Sequence, residues 1–218
     1  MESLSTSRVV VAGVTGAVGQ LVLAQLLAHG ASVQCWTRRP LAPHVNCQAL
    51  PLHQPFTAAD VAICTLGTTL KQAGSQQAFY QVDFELILAF ANAARTAGCR
   101  HFILLSSLGA NAKQRQFYLR VKGEIEAAVQ ALGFAAVSIV RPSLLTGATR
   151  ADRRYAERAA ELVTGWISPL IPPRVRPVSI HHVASFLLAL AKPDTIGCTI
   201  YENWEIHRYH ATPRADRL

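Results

Sequence analysis

The sequence has few lysines, no closely spaced cysteines and no long hydrophobic run. Four of its 21 cationic residues are lysines, and its five cysteines include no C-x-x-C pair. This spacing argues against a zinc or dithiol motif and favours reduced, buried thiols. No segment reaches the roughly 18 uncharged apolar residues that a membrane-spanning helix needs. Residues 1–7 are polar and lack the apolar core of a signal peptide. We therefore expect a cytoplasmic protein with no membrane partner.

The excess of positive charge carries no nucleic-acid signature. The net charge is +8, but no zinc, recognition-helix or RNP-type motif accompanies it, and the basic residues are dispersed. We expect no nucleic-acid partner and interpret the charge as a solvated surface with a groove for an anionic cofactor. His181 and His182 are adjacent, so on a helix they would point about 100° apart and chelate one metal poorly. No metal site is predicted.

The hydrophobic pattern predicts an α/β fold. Half of the 218 residues are hydrophobic and 16% are charged, which suits a single domain, 1–218, with a large core. Short apolar runs without alternation are typical of strands buried on both faces. The predicted strands are 8–12, 32–37, 46–50, 60–66, 101–105, 135–140 and 198–201. The first predicted helix begins near Val18. The other predicted helices cover Gln76–Ala97, Lys113–Leu132 and 179–190.

This alternation of strands and helices predicts a doubly wound, mostly parallel Rossmann-type sheet with helices on both faces. In such folds a ligand lies at the carboxyl ends of the strands. The residues that follow predicted strands should therefore line one cleft. They are Gly13, Arg38, Leu66, Gly67, Ser106, Ser107, Arg141 and Pro142.

A glycine-rich turn follows the first strand and opens the first helix. Its glycines, Gly13, Gly16 and Gly19, permit a tight turn, close approach of backbone to phosphate, and packing of the helix on the strand. The helix N-terminus offers free N–H groups and partial positive charge to a pyrophosphate. The turn predicts dinucleotide binding. The expected contacts are Gly13, Thr15, Gly16, Ala17, Val18 and Gly19.

The segment after the second strand indicates which dinucleotide is bound. An NAD site usually has an acidic residue here for the ribose diol, but this chain has Arg38 and Arg39. No carboxylate repels a 2′-phosphate, and guanidinium groups bind phosphate oxygens bidentately. We therefore predict NADP(H) rather than NAD(H).

Ser106, Ser107, Tyr118 and Lys122 form a candidate catalytic set. Tyr118 and Lys122 are four residues apart on a predicted helix and so share a face. A nearby ammonium lowers the pKa of a phenol and makes it a better acid–base group near neutral pH. A serine at the end of the neighbouring strand could hold the substrate oxygen. Successive strand residues point to opposite sides, so one serine should face the cofactor; we favour Ser107.

Together these motifs make the chain resemble the short-chain dehydrogenase/reductase superfamily. It is similar to the atypical, NADP-binding type with a G-x-x-G-x-x-G turn, and most of all to the branch of the Tat-interacting oxidoreductase-like proteins. The resemblance covers roughly residues 8–190. The strings that carry it are 13–19 (GVTGAVG), 64–69 (CTLGTT), 73–75 (AGS), 82–83 (VD), 104–110 (LLSSLGA), 117–124 (FYLRVKGE) and 141–142 (RP).

The resemblance implies a role for several positions. Leu66, Gly67 and Thr68 would border the nicotinamide-side ribose. Tyr118 would be the acid–base group, and Lys122 would bond the ribose hydroxyls. The backbone after Arg141, including Pro142 and Leu144, would contact the nicotinamide amide. Two departures are visible: residues 47–53 lack the acid that many relatives place against adenine, and His181 and His182 stand near a helix start where many relatives have an aspartate.

The sequence thus predicts an NADPH-dependent reductase of a small carbonyl compound, with residues 143–178 forming a lid over the substrate. Two alternatives stay open. One is an NADPH-binding regulatory or scaffolding protein with little turnover. The other is a flavin or quinone reductase, which needs no proton-donating tyrosine. The oligomeric state also stays open, with a homodimer as one alternative.

Overall fold

The computed structural model describes residues 7–38, 40–52, 54–147, 172 and 174–209. Its strands are β1 (Arg8–Ala12), β2 (Ser32–Trp36), β3 (Cys47–Leu50), β4 (Val61–Cys64), β5 (His101–Leu105), β6 (Ala136–Arg141), β7 (Leu145–Thr146), β8 (Val178–Ser179) and β9 (Gly197–Glu202). Its helices are α1 (Ala17–Ala28), α2 (Leu70–Ala73), α3 (Gln76–Tyr80), a π-helical turn (Gln81–Leu86), α4 (Ile87–Thr96), α5 (Phe117–Ala131), α6 (Ile180–Leu190) and α7 (Asn203–Arg208).

Seven of these strands form one parallel sheet in the order β3-β2-β1-β4-β5-β6-β9. The order reverses direction at β1, since β2 and β3 lie on one side of it and β4 onward on the other. Neighbouring strands that diverge at such a switch point leave a crevice at their carboxyl ends. β7 and β8 form a separate two-stranded pair beside the sheet. The predicted doubly wound fold is confirmed.

Two apolar layers cover the sheet. Alternate residues of β1 point to opposite faces: Val9 and Val11 pack with α1 and α6, whereas Val10 packs on the side of α4 and α5. The strands are buried on both faces, which explains their continuous apolar runs. His101 lies in the sheet with no exposure, and its ring bridges Lys192 O and Ser138 Oγ at 2.9 Å each.

Three elements differ from the predicted pattern. Helix α5 begins at Phe117 rather than Lys113, because Asn111 closes a turn with its side chain and its carbonyl, which accept from Lys113 N and Gln114 N. The helix predicted over 76–97 contains the π-helical turn. Helix α7 was not predicted, although Glu202 and Glu205 form a capping box at its start.

Within the described residues, no helix is both long and apolar enough to cross a bilayer. The same residues contain no group of three metal-ligating side chains. All five cysteines are free thiols; Cys35, Cys64 and Cys99 are buried, Cys47 is half-buried and Cys198 is exposed.

Candidate functional site

Two adjoining clefts lie along the carboxyl edge of the sheet, and Gln72 borders both. The first has a volume of 460 Å³ and is lined by the glycine turn, Arg38 and residues 65–68. The second has a volume of 980 Å³ and is lined by Ser107, Tyr118 and a largely apolar wall. We call the first the dinucleotide cleft and the second the substrate cleft. Together they place most of the predicted site residues in one continuous trough.

The glycine turn is built by close backbone approaches. Gly13 has φ +91°, and a Cβ there would lie 2.6 Å from the carbonyl carbon of Thr65 at the end of β4. A Cβ on Gly19 would lie 2.1 Å from Gly13 O. Gly13 is therefore required for the turn between β1 and β4, and Gly19 is required for α1 to pack against that turn. Gly16 has no backbone clash closer than 3.4 Å and faces the dinucleotide cleft.

The start of α1 fits an anionic group. The first helical bond runs from Gln20 N–H to Gly16 O, so the amides of residues 17–19 point out of the helix end. No acidic residue stands in the first turn, and Gly16 supplies no side chain to cap it. A pyrophosphate would find both free donors and partial positive charge here. The side chain of Val18 packs in the core, so its contribution would come from its backbone.

Arg38 lies where the dinucleotide cleft meets a third cavity. This cavity, of 570 Å³, is lined by Thr37, Arg38, Pro40 and the residues from Ala49 to Leu52. The Arg38 side chain is exposed at the end of β2, where it can reach an anion bound in either space. Arg39 lies outside the described residues.

Tyr118 is half-buried at the first turn of α5 and lines the substrate cleft. Its ring packs against Phe79 of α3 with a centroid distance of 5.4 Å. That contact holds the ring at the border of the cleft. Lys122 is one helical turn further on, so both side chains point toward the strand ends.

Lys122 forms a buried ion pair that the sequence motif does not contain. Its Nζ lies 2.7 Å from Asp83 Oδ1, and the two side chains are 5% and 0% exposed. Burial alone would lower the pKa of Lys122, but the Asp83 carboxylate, with Tyr118, raises it above its ordinary value, so the ammonium stays charged. Burial raises the pKa of Asp83, and Lys122 opposes that effect.

Asp83 also reaches the loop that follows β4. Its Oδ2 accepts a hydrogen bond from Thr68 N–H at 2.9 Å. A Cβ on Gly67 would lie 3.4 Å from both Asp83 Oδ1 and Lys122 Nζ. The ion pair therefore lies directly beneath the floor of the dinucleotide cleft, and the lack of a side chain on Gly67 leaves it close to any group bound there.

Asp83, the partner of Lys122, lies within the π-helical turn. A single π turn rotates the residues after it relative to a regular helix, and such turns are frequent at functional sites. Asp83 is the buried residue of this turn, whose other polar residues are Gln81 and Glu85. The signal in the sequence was an acid at a core position; helical periodicity alone could not show that it meets Lys122.

The two serines after β5 have different surroundings. Ser106 Oγ donates a hydrogen bond to the buried carboxylate of Glu126 on α5. Glu126 also accepts from Arg141 Nε at 3.0 Å, and Arg141 Nη1 lies 2.9 Å from Glu202. Ser106 thus ties the end of β5 to α5 and β6. Ser107 is half-buried, and both serines border the substrate cleft with Tyr118.

A second close backbone approach fixes the serine loop. Gly123 lies next to Lys122 on α5, and a Cβ there would lie 2.1 Å from Ala112 N and 2.1 Å from the Asn111 carbonyl carbon. Asn111 N–H donates to Leu119 O across this contact. The loop from Ser107 to Ala112 is thereby pressed against the helix that carries Tyr118 and Lys122.

The remaining predicted residues lie on the wall of the substrate cleft. Pro142 and Leu144 follow β6 and border the cleft together with Leu108, Leu145, Val175 and Ile180. This wall is mostly aliphatic. The predicted lid, 143–178, is described only for 143–147, 172 and 174–178; its other residues lie outside the described part of the chain.

Comparison with known families agrees with this geometry. Residues 13–193 match the model of a family described as NAD(P)H-binding. Over 176 residues, the chain is 36% identical to the mitochondrial protein fmp52 of Emericella nidulans, covering 73% of this chain and 75% of that protein. Over 156 residues, it is 35% identical to HTATIP2 of Rattus norvegicus, covering 65% of this chain and 64% of that protein.

Solved structures with the same fold include human epimerase family protein SDR39U1 with NADPH, with a TM-score of 0.65 and 18% identity over 91% of this chain and 77% of that chain. MoeE5 in complex with UDP-glucose and NAD has a TM-score of 0.68 and 16% identity over 88% of this chain and 74% of that chain. The predicted short-chain dehydrogenase/reductase resemblance is confirmed.

The expected cytoplasmic location is wrong. Several similar proteins, from Emericella nidulans, Aspergillus terreus and Candida glabrata, are named as mitochondrial. The prediction had relied on a polar N-terminus and reduced cysteines. Neither property separates the cytoplasm from another compartment in which thiols stay reduced.

Proposed function

The chain belongs to the NAD(P)H-binding family, and from that premise we propose that it is an NADPH-dependent oxidoreductase that reduces a small carbonyl compound. The observation that carries the proposal is the position of Tyr118 and Ser107. They border the substrate cleft, which adjoins the dinucleotide cleft at Gln72. Cofactor binding and proton transfer to the substrate could then occur at adjoining sites.

The dinucleotide would lie along the carboxyl edge of the sheet. The amides at the start of α1 would bind the pyrophosphate. Arg38 would bind the 2′-phosphate and so select NADPH over NADH. Leu66, Gly67 and Thr68 would border the second ribose. The apolar third cavity, between Pro40 and Leu52, offers a place for adenine without an acidic partner.

The bound NADPH would supply a hydride to the carbonyl carbon. Ser107 would hold the carbonyl oxygen, and Tyr118 would donate a proton to it. Lys122 would keep a positive charge beside the phenol. It would also bond the ribose, because Gly67 has no side chain to separate the ammonium from the dinucleotide cleft. Asp83 would hold Lys122 in place and balance its charge. Ser106 would act through Glu126 as a support for the loop rather than touch the substrate.

The substrate cleft favours an apolar carbonyl compound, because aliphatic residues such as Leu108, Leu144 and Val175 form its wall. We further propose a mitochondrial location, which the names of the similar fungal proteins support.

The test is NADPH consumption, followed at 340 nm, with 4-nitrobenzaldehyde and with menadione. We expect the aldehyde to be reduced, and Tyr118→Phe to lose at least about a hundredfold in turnover while NADPH binding changes little. Tyr80→Phe is the matched control, because Tyr80 stacks on Phe84 away from both clefts.

Three other outcomes would contradict this proposal. Turnover of the aldehyde by Tyr118→Phe at the wild-type rate would remove the assigned proton donor. Reduction of menadione alone would favour the quinone reductase. Tight NADPH binding without consumption across a broad carbonyl panel would favour the regulatory protein.

A further inference from the structure

The C-terminal unit of β9 and α7 contacts the wall of the substrate cleft through a buried amide. Asn203, the first residue of α7, has no exposed surface. Its Oδ1 accepts from Ser143 N–H at 2.9 Å, and its Nδ2 donates to Arg176 O at 2.9 Å. One side chain thus joins the first residue of the predicted lid to a residue near its other end.

The Arg176 carbonyl is an unusually well-bonded group for a loop. Besides Asn203, it accepts from Ser143 Oγ at 2.5 Å and from His207 Nε2 at 3.1 Å. Because a carbonyl can only accept, Nε2 of His207 carries the proton in this contact. These three donors hold the loop at this point, in addition to its own backbone bonds from Val175 N–H and Arg176 N–H to Pro172 O.

These bonds determine the position of a cleft wall. Val175, next to Arg176, and Leu144, next to Ser143, both border the substrate cleft. Val178 N–H donates to Leu144 O at 2.9 Å, so the hydrogen bonds between these two segments continue into the β7–β8 pair. If the Arg176 carbonyl moved, Val175 would move with it and the cleft would change width.

Helix α7 is itself anchored to the core. Ile206 has no exposed surface, and its carbonyl lies 2.7 Å from His182 Nε2 of α6. Glu202, before the helix, pairs with Arg141 at the end of β6. The helix therefore offers a fixed base from which Asn203 and His207 hold the wall. Both residues lie beyond the family match, which ends at residue 193.

We propose that Asn203 and His207 are positioning residues that set the shape of the substrate cleft by holding the Arg176 carbonyl. The consequence for catalysis rests on the proposed function. The hydrogen bonds of Asn203 and His207 to the Arg176 carbonyl, which we call the clamp, are a property of the fold. The clamp makes the C-terminal unit of β9 and α7 a determinant of which substrates fit the substrate cleft.

Asn203→Asp isolates this role. An aspartate keeps an acceptor for Ser143 N–H but has no donor for the Arg176 carbonyl, which it also repels. Asn92→Asp is the matched control: the same chemical change at an exposed position of α4, where Asn92 bonds only its own helix in the described structure. His207→Phe is a second, milder variant that keeps an aromatic ring and removes one donor.

The first readout is hydrogen–deuterium exchange, which needs no turnover. We expect the amides of Val175, Arg176 and Val178 to exchange about fivefold to tenfold faster in Asn203→Asp and faster to a lesser degree in His207→Phe. Asn92→Asp should match the wild type. Unchanged exchange at these amides in both Asn203→Asp and His207→Phe would overturn the clamp.

The second readout is the kinetics with 4-nitrobenzaldehyde. We expect KM for the aldehyde to rise about fivefold in Asn203→Asp, with kcat and the NADPH dissociation constant within about twofold of the wild type. An NADPH affinity that falls as much as the aldehyde affinity would contradict a role in the substrate wall. If the wild type does not reduce the aldehyde, the proposed function fails there, and the exchange result still decides the clamp.

Discussion

Lys122 and Asp83 meet beneath the floor of the dinucleotide cleft, Nζ to Oδ1 at 2.7 Å, and neither is open to solvent. The same carboxylate accepts from Thr68 N–H. One acid therefore links the helix that carries the proposed acid–base group to the loop proposed to bind the ribose. It also makes the charge beside Tyr118 that of a pair rather than that of a lone ammonium.

Asp83→Asn should shift the pH dependence of catalysis. The amide keeps the bond to Thr68 but removes the carboxylate that raises the pKa of Lys122 against the effect of burial. The pKa of Lys122 should then fall, so the ammonium loses its charge beside the phenol at a lower pH than in the wild type. We expect the alkaline limb of the kcat profile to move down by about one pH unit.

The control for this shift is Asp60→Asn. Asp60 pairs with Arg8 at 2.8 Å, partly exposed and at the opposite edge of the sheet. Asp60→Asn should leave the alkaline limb of the kcat profile at the same pH as in the wild type. An alkaline limb that stays put in Asp83→Asn, or that moves to higher pH, would refute the charge-balancing role of Asp83.

Gly123→Ala should destabilise the protein, against the usual trend for a helix. Alanine normally stabilises a helix interior by about 1 kcal/mol relative to glycine. Here the new methyl would meet Ala112 N at 2.1 Å, so the serine loop must move. We expect a loss of about 2–4 kcal/mol in the free energy of unfolding, measured by urea denaturation, and a loss of turnover.

A substitution on the exposed side of the same helix sets the scale. Ala127→Gly, at an exposed position, should cost about 1 kcal/mol from helix propensity alone and leave turnover intact. A Gly123→Ala variant as stable and as active as the wild type would mean that the loop does not rest on α5.

His101 should make stability fall in acid. Burial lowers its pKa in the folded protein, with the bond to Lys192 O opposing this effect. Its folded pKa is below its unfolded pKa, so its contribution is complete above about pH 6.5 and is lost as pH falls below that value. The slope from this residue approaches about 1.4 kcal/mol per pH unit.

The measurement is urea denaturation at pH 7.5, 6.0 and 5.0 in the wild type and in His101→Asn. The variant should be less stable at neutral pH, because it loses one or both bonds to Lys192 O and Ser138 Oγ. Its stability should fall less between pH 7.5 and 5.0. Equal pH dependence in the two proteins would show that His101 does not stay neutral.

Arg38→Ala should reduce the preference for the phosphorylated cofactor. Removing one charge-assisted phosphate contact should weaken NADPH binding about tenfold and leave NADH binding within about twofold. Arg100→Ala, an exposed arginine before β5, is the control and should change neither. Isothermal titration with both nucleotides measures the effect. Equal losses for NADPH and NADH would place Arg38 outside the 2′-phosphate site.

The sequence predicts the sheet and the ends of its strands because each feature is local. Buried strands appear as apolar runs, and the turn at Gly13 and Gly19 needs residues without side chains. The arrangement of Tyr118 and Lys122 follows from helical spacing. Ser179 caps α6 as its position suggested, accepting from His181 N–H. These signals combine to indicate the fold and the edge of the sheet that holds the site.

Contacts between distant segments were beyond such patterns. Asp83, the partner of Lys122, lies in a π-helical turn, and helical periodicity assumes a regular helix. The different surroundings of Ser106 and Ser107 depend on Glu126, which is 20 residues away from Ser106. Helix α7 is six residues long, too short for a periodic signal. Its proposed role arises from the hydrogen bonds of Asn203 and His207 to Arg176 O, which no local pattern encodes.

The most direct test of the central claim is a crystal structure of the protein soaked with NADP⁺. The account predicts the pyrophosphate at the amides of residues 17–19, the 2′-phosphate at Arg38, and the nicotinamide ring facing the Tyr118 hydroxyl. An empty trough at saturating nucleotide, or a nicotinamide ring bound away from Tyr118, would contradict it.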